Sequence, residues 1–298
     1  MSQKTDSGDS NQITREYFDS LLIEFRHIDS ILPDTRLRLF GETFDTPVMT
    51  AALSHLDKCH PEGLVEMARG AKAANAVAFV GMGDEEELDR ITATGAKTIK
   101  IIKQYANNDV IYTKIKHAEK CGCIAVGMDF DHAFTRRGEN DEIHGLKMAG
   151  KSLDELKSFV SATGLPFVVK GVLSVQDALK CADAGVQGIV VSHHAGIMSY
   201  AVPPLMILPE IADAVGSKMK IFVDCGVESG MDSFKALALG ADAVSVGRPL
   251  MQPLTDKGAE GVKDIISDFT AQLAGVMAFT CSHAITKIDP KVIRHRRF

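Results

Sequence analysis

The sequence lacks the features of a secreted or membrane-bound chain. No stretch of its 298 residues approaches the roughly 20 consecutive apolar residues that a membrane span requires. The polar amino terminus, MSQKTDSGDSNQ, has no apolar signal-peptide core, and the six cysteines do not have the spacing of a disulfide framework. We therefore expect a soluble protein of the reducing cytoplasm, without a membrane partner.

Concentrated positive charge is also scarce. The formal net charge is -6, and the basic cluster of Arg294, Arg296 and Arg297 is best interpreted as a solvated tail. Nucleic acid is therefore excluded as a partner.

Cys121 and Cys123 have no second cysteine pair nearby, so buried thiols are favoured there and no bound metal is predicted.

What the chain does contain is core-forming material in a regular alternation. Hydrophobic residues make up 45% of the sequence, and short runs rich in Val, Ile and Ala each precede a segment with helical periodicity. These runs lack the polar alternation of a half-exposed sheet, which favours parallel strands buried on both faces. The eight predicted strands are 48–53, 76–80, 98–102, 123–128, 166–170, 188–192, 220–224 and 243–247.

Helix signals lie between these strands. The predicted opening or capping residues are Pro61, Asp84, Ser152 and Ser174, and the predicted stops are Gly185 and Gly240. No Gly-rich dinucleotide turn follows the first strand, so eight strand-helix units favour a (β/α)8 TIM barrel over a doubly wound sheet. We expect an α/β fold of this type in one domain, residues 1–298.

Two segments fall outside the repeat. Residues 1–12 are predicted to be disordered. The connection after strand four, residues 129–151, is long and rich in Arg, Glu, Asp, Asn and Gly. A loop of this length on the active face of a barrel indicates a lid.

Polar residues close the predicted strands, where the active site of such a barrel is built. The loops after strands seven and eight, DCGVESG and VSVGRP, bring glycines and an arginine to the place where barrels commonly hold phosphate. A phosphorylated ligand or cofactor is therefore predicted. The strand-end residues are Lys103, Asp129, Lys170, Ser192, His193, His194, Asp224, Gly247, Arg248 and Pro249.

Lys170 ends a strand of Phe and Val, where an unpaired ammonium is costly. Its position is compatible with an electron-rich cofactor, with a Schiff-base lyase, or with a side chain that reaches past the rim to water. A metal-dependent hydrolase is a further alternative, although it leaves Lys170 and the GRP loop unexplained. Its candidate ligands are His55, His60, Asp129, Asp131, His132 and His193.

Three stretches carry a specific resemblance: LPFVVKGVLSVQDALKCADAGVQGIVVSHHAG, LPEIADAVG and DCGVESGMDSFKALALGADAVSVGRP. In them the sequence resembles the FMN-dependent α-hydroxy-acid dehydrogenases and oxidases, such as glycolate oxidase, lactate oxidase and mandelate dehydrogenase. The resemblance runs from about residue 18 to 281. It implies an FMN-dependent oxidoreductase acting on a small, anionic hydroxy compound, and a homo-oligomer, by resemblance a tetramer.

The resemblance also implies roles for individual residues. His194 matches the catalytic base, Asp129 the aspartate that orients it, and Lys170 the lysine beside flavin N1 and O2. Tyr105 and Arg136 match a substrate-facing tyrosine and a lid-loop arginine. The implied cofactor-binding residues are Ala51, Ala52, Lys103, Lys170, Ser192, Asp224, Gly226, Gly247 and Arg248.

Several positions depart from the family pattern. Ile197 replaces the arginine that clamps the substrate carboxylate, so either the substrate preference is altered or the barrel binds flavin with little turnover. Glu228 replaces a phosphate-binding arginine and predicts weaker FMN binding unless backbone amides compensate. The other departures are His193 for Asn, Lys103 for Gln, Gly127 for Thr, Gly81 for Ser and Cys225 for Gly.

Overall fold

The fold is described from a computed structural model for residues 8–296. Its strands are β1 (Leu21–Ile23), β2 (Leu37–Leu39), β3 (Glu42–Phe44), β4 (Val48–Thr50), β5 (Ala78–Val80), β6 (Thr98–Lys103), β7 (Ala125–Asp129), β8 (Glu142–Ile143), β9 (Leu146–Lys147), β10 (Phe167–Val172), β11 (Gly188–Val191), β12 (Lys220–Val223), β13 (Ala243–Val246) and β14 (Ile293–His295). Its α-helices are α1 (Ser10–Ser20), α2 (Gly63–Ala73), α3 (Glu85–Ala93), α4 (Asn108–Lys120), α5 (Leu153–Ser161), α6 (Val175–Asp183), α7 (Pro204–Val215), α8 (Gly230–Ala238), α9 (Arg248–Lys257) and α10 (Ala259–Phe279).

Eight of these strands form one parallel sheet that closes on itself. Their order is β4-β13-β12-β11-β10-β7-β6-β5, and every pairing is parallel. The two end strands meet at a bridge between Leu53 and Val80, and the N–H of Gly81 donates to the Leu53 carbonyl at 2.8 Å. The predicted (β/α)8 barrel is therefore confirmed, and each of its eight strands overlaps a predicted one.

The barrel strands are apolar because helices cover their outer face and side chains fill the interior. Every residue of β6 and β7 is buried, and inside the barrel the rings of Phe79 and Phe222 lie 6.2 Å apart. Burial of each large apolar side chain contributes about 1.5–3 kcal/mol. This packing fixes the carboxyl ends of the strands, where the polar residues lie.

Side-chain caps fix the starts of several helices. Ser152 begins α5 with a capping box, and Asp84 and Ser174 cap α3 and α6 as predicted. The prediction for Pro61 was wrong by two residues, because α2 begins at Gly63 and Pro61 lies in the preceding turn. The predicted stops follow α6 and α8 in the left-handed region: Gly185 with φ 78° and Gly240 with φ 112°.

The amino-terminal segment is more ordered than the sequence predicted. Helix α1 begins at Ser10, so the prediction of disorder was wrong for residues 10–12. The Asp9 carboxylate caps the helix by accepting the N–H of Asn11 at 2.9 Å. The earlier part of that prediction, residues 1–7, lies outside the described residues, as does Arg297 of the predicted basic tail.

The connection between β7 and α5 is a folded loop. It contains the β8–β9 hairpin, and Met148 joins it to the barrel through a bridge with Tyr105. At the opposite end of the barrel the β2–β3 hairpin packs its Phe40 ring 6.4 Å from Phe222. No helix within residues 8–296 is long and apolar enough to cross a bilayer.

Candidate active site

Buried charged side chains meet at the carboxyl ends of β6, β7 and β10. The Asp129 carboxylate accepts from the Lys103 ammonium at 2.6 Å and from the Lys170 ammonium at 3.3 Å. These strands are adjacent in the barrel, with Lys103 and Lys170 both in register with Asp129. The parallel registry therefore assembles a lysine-aspartate-lysine row from three separate strands.

His194 joins this row from the loop after β11. Its Nδ1 lies 2.7 Å from Asp131 Oδ1, 3.4 Å from Asp129 Oδ1 and 3.0 Å from Lys170 Nζ. An ionised carboxylate only accepts hydrogen bonds, so Nδ1 carries a proton and donates it to Asp131. The left-handed backbone at His194, with φ 51°, is held by a 3.0 Å hydrogen bond from its N–H to Ser192 Oγ.

The Asp131 carboxylate occupies space that Gly171 leaves open. A Cβ at Gly171 would lie 2.5 Å from Asp131 Cγ, and Gly171 has a left-handed φ of 90°. The pairing of β10 with β11 shifts register at this residue. Asp131 Oδ2 is buried without a hydrogen-bond partner among the described residues, and it lies 3.8 Å from Lys170 Nζ. Gly171 is therefore required for the second carboxylate beside His194.

The charges in this cluster shift one another's pKa values. Burial alone lowers the pKa of His194, but the hydrogen bonds to Asp129 and Asp131 outweigh it and raise that pKa to about 9. Burial likewise lowers the pKa of Lys170, and Asp129, Asp131 and Asp224 raise it above its ordinary value. Burial, followed by the Asp129 charge, raises the pKa of Asp131. At neutral pH His194 and Lys170 are therefore both cationic.

His193 has a structural role. Its side chain is buried; Nδ1 accepts the N–H of Gly196 at 2.9 Å, and Nε2 lies 2.8 Å from the hydroxyl of Thr14 in α1. Because Nδ1 accepts, the proton is on Nε2 and is donated to Thr14. Burial lowers the pKa of His193, so the ring is neutral. This histidine connects α1 to the loop that carries His194.

A cleft opens beside Lys170 and His194. It contains seven of the nine predicted cofactor-binding residues and provides the donors that a phosphorylated flavin needs. The buried Ser245 hydroxyl in its wall has no hydrogen-bond partner among the described residues. The amino terminus of α9, with Gly247 as its N-cap, lies in the same wall and favours a bound anion through the helix dipole. Its donor set is small, because Pro249 has no N–H and the N–H of Leu250 donates to the Gly247 carbonyl. The seven residues are Ala51, Ala52, Lys170, Asp224, Gly226, Gly247 and Arg248.

Glu228 places negative charge in the same cleft. Its carboxylate is about half exposed and lies 3.9 Å from the guanidinium of Arg15 in α1. Arg15 also pairs with Asp232 at 3.0 Å and donates to the Gly226 carbonyl at 3.1 Å. The amino-terminal helix therefore supplies a cation beside the residue that departs from the family pattern.

Five predicted site residues do not line the cleft, and one of them is Asp129 of the buried charged row. Lys103 donates to the Asp129 carboxylate, and Ser192 accepts the backbone N–H of His194. Tyr105 is buried next to the β7–α5 loop, and burial raises the pKa of its phenol. Arg136 donates from Nε and Nη2 to the carbonyls of Ile197 and Gly196, both at 2.9 Å.

The hydrolase alternative finds little support in this geometry. Among its candidate ligands in the described residues, only Asp129 and Asp131 converge, together with His194. The ammonium groups of Lys103 and Lys170 already pair with these carboxylates. Cations that compete for the same oxygen atoms disfavour a metal ion there.

Sequence reasoning missed two contributions to the site. It named Asp131 only as a metal ligand, although Asp129 and Asp131 are two residues apart at a strand end, a spacing that places side chains on one side. It also missed Thr14 and Arg15, because no local signal shows that α1 packs over the barrel mouth.

The closed barrel, its buried lysine and its phosphate-type cleft define an enzyme that works with a phosphorylated cofactor. The family model described as FMN-dependent dehydrogenase matches residues 1–153 and 149–295. The chain belongs to this family, and it is an FMN-dependent oxidoreductase.

Individual relatives agree with this membership. A peroxisomal (S)-2-hydroxyacid oxidase of Arabidopsis thaliana is 30% identical over 88% of this chain and 81% of its own length. An L-lactate oxidase of Roseobacter sp. is 28% identical over 87% of this chain and 79% of its own. A solved structure of a mandelate oxidase mutant with the C4a-OH-FMN adduct superposes with a TM-score of 0.88 at 26% identity, covering 99% of this chain and 93% of that one.

Proposed function

We propose that the protein oxidises the hydroxyl-bearing carbon of a small 2-hydroxy compound, with His194 as the base that takes the hydroxyl proton. Bound FMN supplies the acceptor for the two electrons. Asp131 and Asp129 stabilise the imidazolium that forms when His194 takes the proton. The proposal rests on one observation above all: Nδ1 of His194 is anchored to a carboxylate at the edge of the cleft.

The anchored Nδ1 leaves Nε2 for the reaction. Among the described residues, no group forms a hydrogen bond with Nε2, whereas Nδ1 is held by Asp131. A base oriented through one ring nitrogen presents the other to its substrate, as in other carboxylate-histidine pairs. Lys170, buried at the cleft wall, is positioned to stabilise negative charge on the bound cofactor.

The substrate preference is proposed to differ from that of relatives with a carboxylate-clamping arginine. Ile197 has no charge, and Arg136 is held by the backbone carbonyls of residues 196 and 197. Lys103 is held by Asp129. Small hydroxy acids that depend on a bidentate clamp are therefore expected to bind weakly, and substrates with a larger apolar group to be favoured.

The decisive experiment is anaerobic reduction of the FMN-loaded protein, followed by visible absorption. Glycolate, lactate and mandelate are added in turn to the wild type, His194→Asn and the surface control His283→Asn. We expect substrate-dependent bleaching in the wild type and control, and bleaching at least about 100-fold slower in His194→Asn, because general base catalysis contributes at least that much. Flavin binding should be unchanged.

The Ile197→Arg variant tests the substrate proposal separately. Restoring the cation should lower the lactate concentration needed for half-maximal reduction by about tenfold or more, since a charge-assisted pair contributes about 1.5–3 kcal/mol.

If none of the three acids bleaches the wild-type flavin, the proposed turnover is wrong and the protein is a flavin-binding barrel. If His194→Asn is reduced at the wild-type rate, His194 is not the base.

A further inference from the structure

Three metal-binding side chains meet on the outside of the barrel, between α3 and α4. Cys121 Sγ lies 3.1 Å from Asp89 Oδ1 and 3.2 Å from His117 Nε2. The third edge of the triangle, from His117 Nε2 to Asp89 Oδ1, is 3.1 Å. A thiol, an imidazole and a carboxylate therefore point their donor atoms at one another across two helices.

The local sequence explains the convergence. His117 lies in the last turn of α4, and Cys121, four residues later, is its C-cap. Residues four apart share one face of a helix. Asp89 reaches them from the facing α3. The carboxyl end of α4 also carries the negative end of the helix dipole, which favours a cation.

The atoms of this cluster include more hydrogen-bond acceptors than hydrogens to share among them. His117 Nε2 also lies 3.2 Å from the Glu85 carbonyl, so three neighbours compete for one imidazole nitrogen. The thiol has one hydrogen and the ring nitrogen at most one, whereas the carboxylate and the carbonyl can only accept. A divalent cation would satisfy the nitrogen, the sulfur and the carboxylate oxygen together.

We propose that Asp89, His117 and Cys121 form a binding site for a zinc-class divalent metal ion that cross-links α3 and α4. Zinc ligands at about 2.0–2.3 Å and tetrahedral angles are separated from one another by roughly 3.3–3.5 Å, close to the triangle in this protein. Zinc accepts this mixture of sulfur, nitrogen and oxygen donors, and water completes the fourth position. Asp89 is 61% exposed, which gives the ion a path from solvent.

An outer carboxylate is available to support the site. Glu85 Oε2 lies 4.0 Å from His117 Nδ1, the ring nitrogen that does not face the triangle. A carboxylate orients a ligating histidine when it accepts a hydrogen bond from the outer nitrogen, and at 4.0 Å Glu85 would need only a small side-chain movement to do so. Of the CxC pair only Cys121 takes part: Cys123 is buried, and the second and third ligands come from His117 and Asp89.

The test is metal binding by the flavin-loaded protein after removal of metals with a chelator. Co²⁺ is titrated and followed by its ligand-field and sulfur-to-metal absorption, and Zn²⁺ is titrated against a chromophoric chelator. We expect one ion per chain and thiolate-type Co²⁺ bands. Cys121→Ser should abolish those bands, and His117→Gln should weaken Zn²⁺ binding by more than the roughly 10–100-fold that loss of an outer partner costs. Cys281→Ser is the matched control and should bind as the wild type.

The native protein provides a second measurement that does not depend on the variants' folding. Zn²⁺ should protect Cys121 from alkylation, detected by mass spectrometry of its peptide, while Cys281 keeps its reactivity. Absence of stoichiometric Zn²⁺ binding, or equal alkylation of Cys121 with and without Zn²⁺, would overturn the proposal. Thiolate bands that survive in Cys121→Ser would place the metal elsewhere and would also overturn it.

Discussion

At the scale of single residues, the environment of His194 sets the pH at which the proposed chemistry can operate. A general base works only in its unprotonated form. Two carboxylates raise the pKa of His194 to about 9, so at neutral pH most molecules hold the imidazolium. The same contacts that orient the ring therefore reduce the fraction of protein ready to accept a proton.

This conflict between orientation and protonation of His194 makes the proposed reaction depend on pH. The second-order rate of flavin reduction by substrate should rise from neutral pH and level off above about 9 in the wild type. In Asp131→Asn the loss of a charge 2.7 Å from Nδ1 should move the midpoint down by about one to two pH units. Stopped-flow reduction over a pH series measures both profiles.

Asp183→Asn, at the exposed end of α6, is the control for this prediction and should keep the wild-type midpoint. An unchanged midpoint in Asp131→Asn would contradict the assignment of Asp131 as the main partner. Asp129, 3.4 Å from the same nitrogen, would then determine the pKa.

At the scale of elements, α1 ties together two of the loops that line the cleft. Asn11 donates to the Ala195 carbonyl at 2.8 Å, and Thr14 meets His193. Arg15 reaches the loop after β12 through Gly226. A helix that precedes the barrel in sequence therefore stabilises the loops after its sixth and seventh strands.

The hydrogen bond between Thr14 of α1 and His193 should contribute to the stability of the fold. Thr14→Val removes the hydroxyl with little change in volume and leaves the buried Nε2–H of His193 without an acceptor. The free energy of unfolding should fall by about 1–3 kcal/mol, measured by urea denaturation. Thr113→Val, on the exposed face of α4, should change it by less than about 0.5 kcal/mol. Equal losses in both variants would show that the His193 contact has no special role.

Elements differ in how much the sequence reveals about them. The eight barrel strands and the caps at Asp84, Ser152 and Ser174 were predictable because hydrophobic runs and capping side chains are local signals. That the polar strand-end residues meet at one face was predictable once the barrel was, because the carboxyl ends of its strands all lie there. The packing of α1, the pairing of Asp131 with His194 and the Asp89 triangle were not predictable, because each depends on contacts between distant segments.

At the scale of the whole molecule, the cofactor should contribute to stability as well as to chemistry. A ligand that binds only the folded state stabilises it by about 2.7 kcal/mol at a concentration 100 times its Kd. We predict that removing FMN lowers the melting temperature and that adding it back restores the loss. Calorimetry of the two forms measures the difference, and equal melting temperatures would contradict it.

Glu228 should limit that stabilisation. In Glu228→Gln the cleft loses a half-exposed negative charge, so FMN should bind about two- to fivefold more tightly, in line with the modest strength of exposed charge pairs. Fluorescence titration with FMN tests this, with exposed Glu260→Gln as the control. Weaker binding in Glu228→Gln would mean that its pairing with Arg15 supports the cleft.

A homo-oligomeric assembly and a cytoplasmic location stay predictions from the sequence.

The close approach of Gly171 and Asp131 limits which substitutions the sequence can accept during evolution, and in which order. Any side chain at position 171 collides with the carboxylate at 131, and its φ of 90° already disfavours one. A lineage can therefore lose Asp131 and keep the glycine, but it cannot replace the glycine first without displacing the acid. The order of these two changes is fixed by a gap the size of one methyl group.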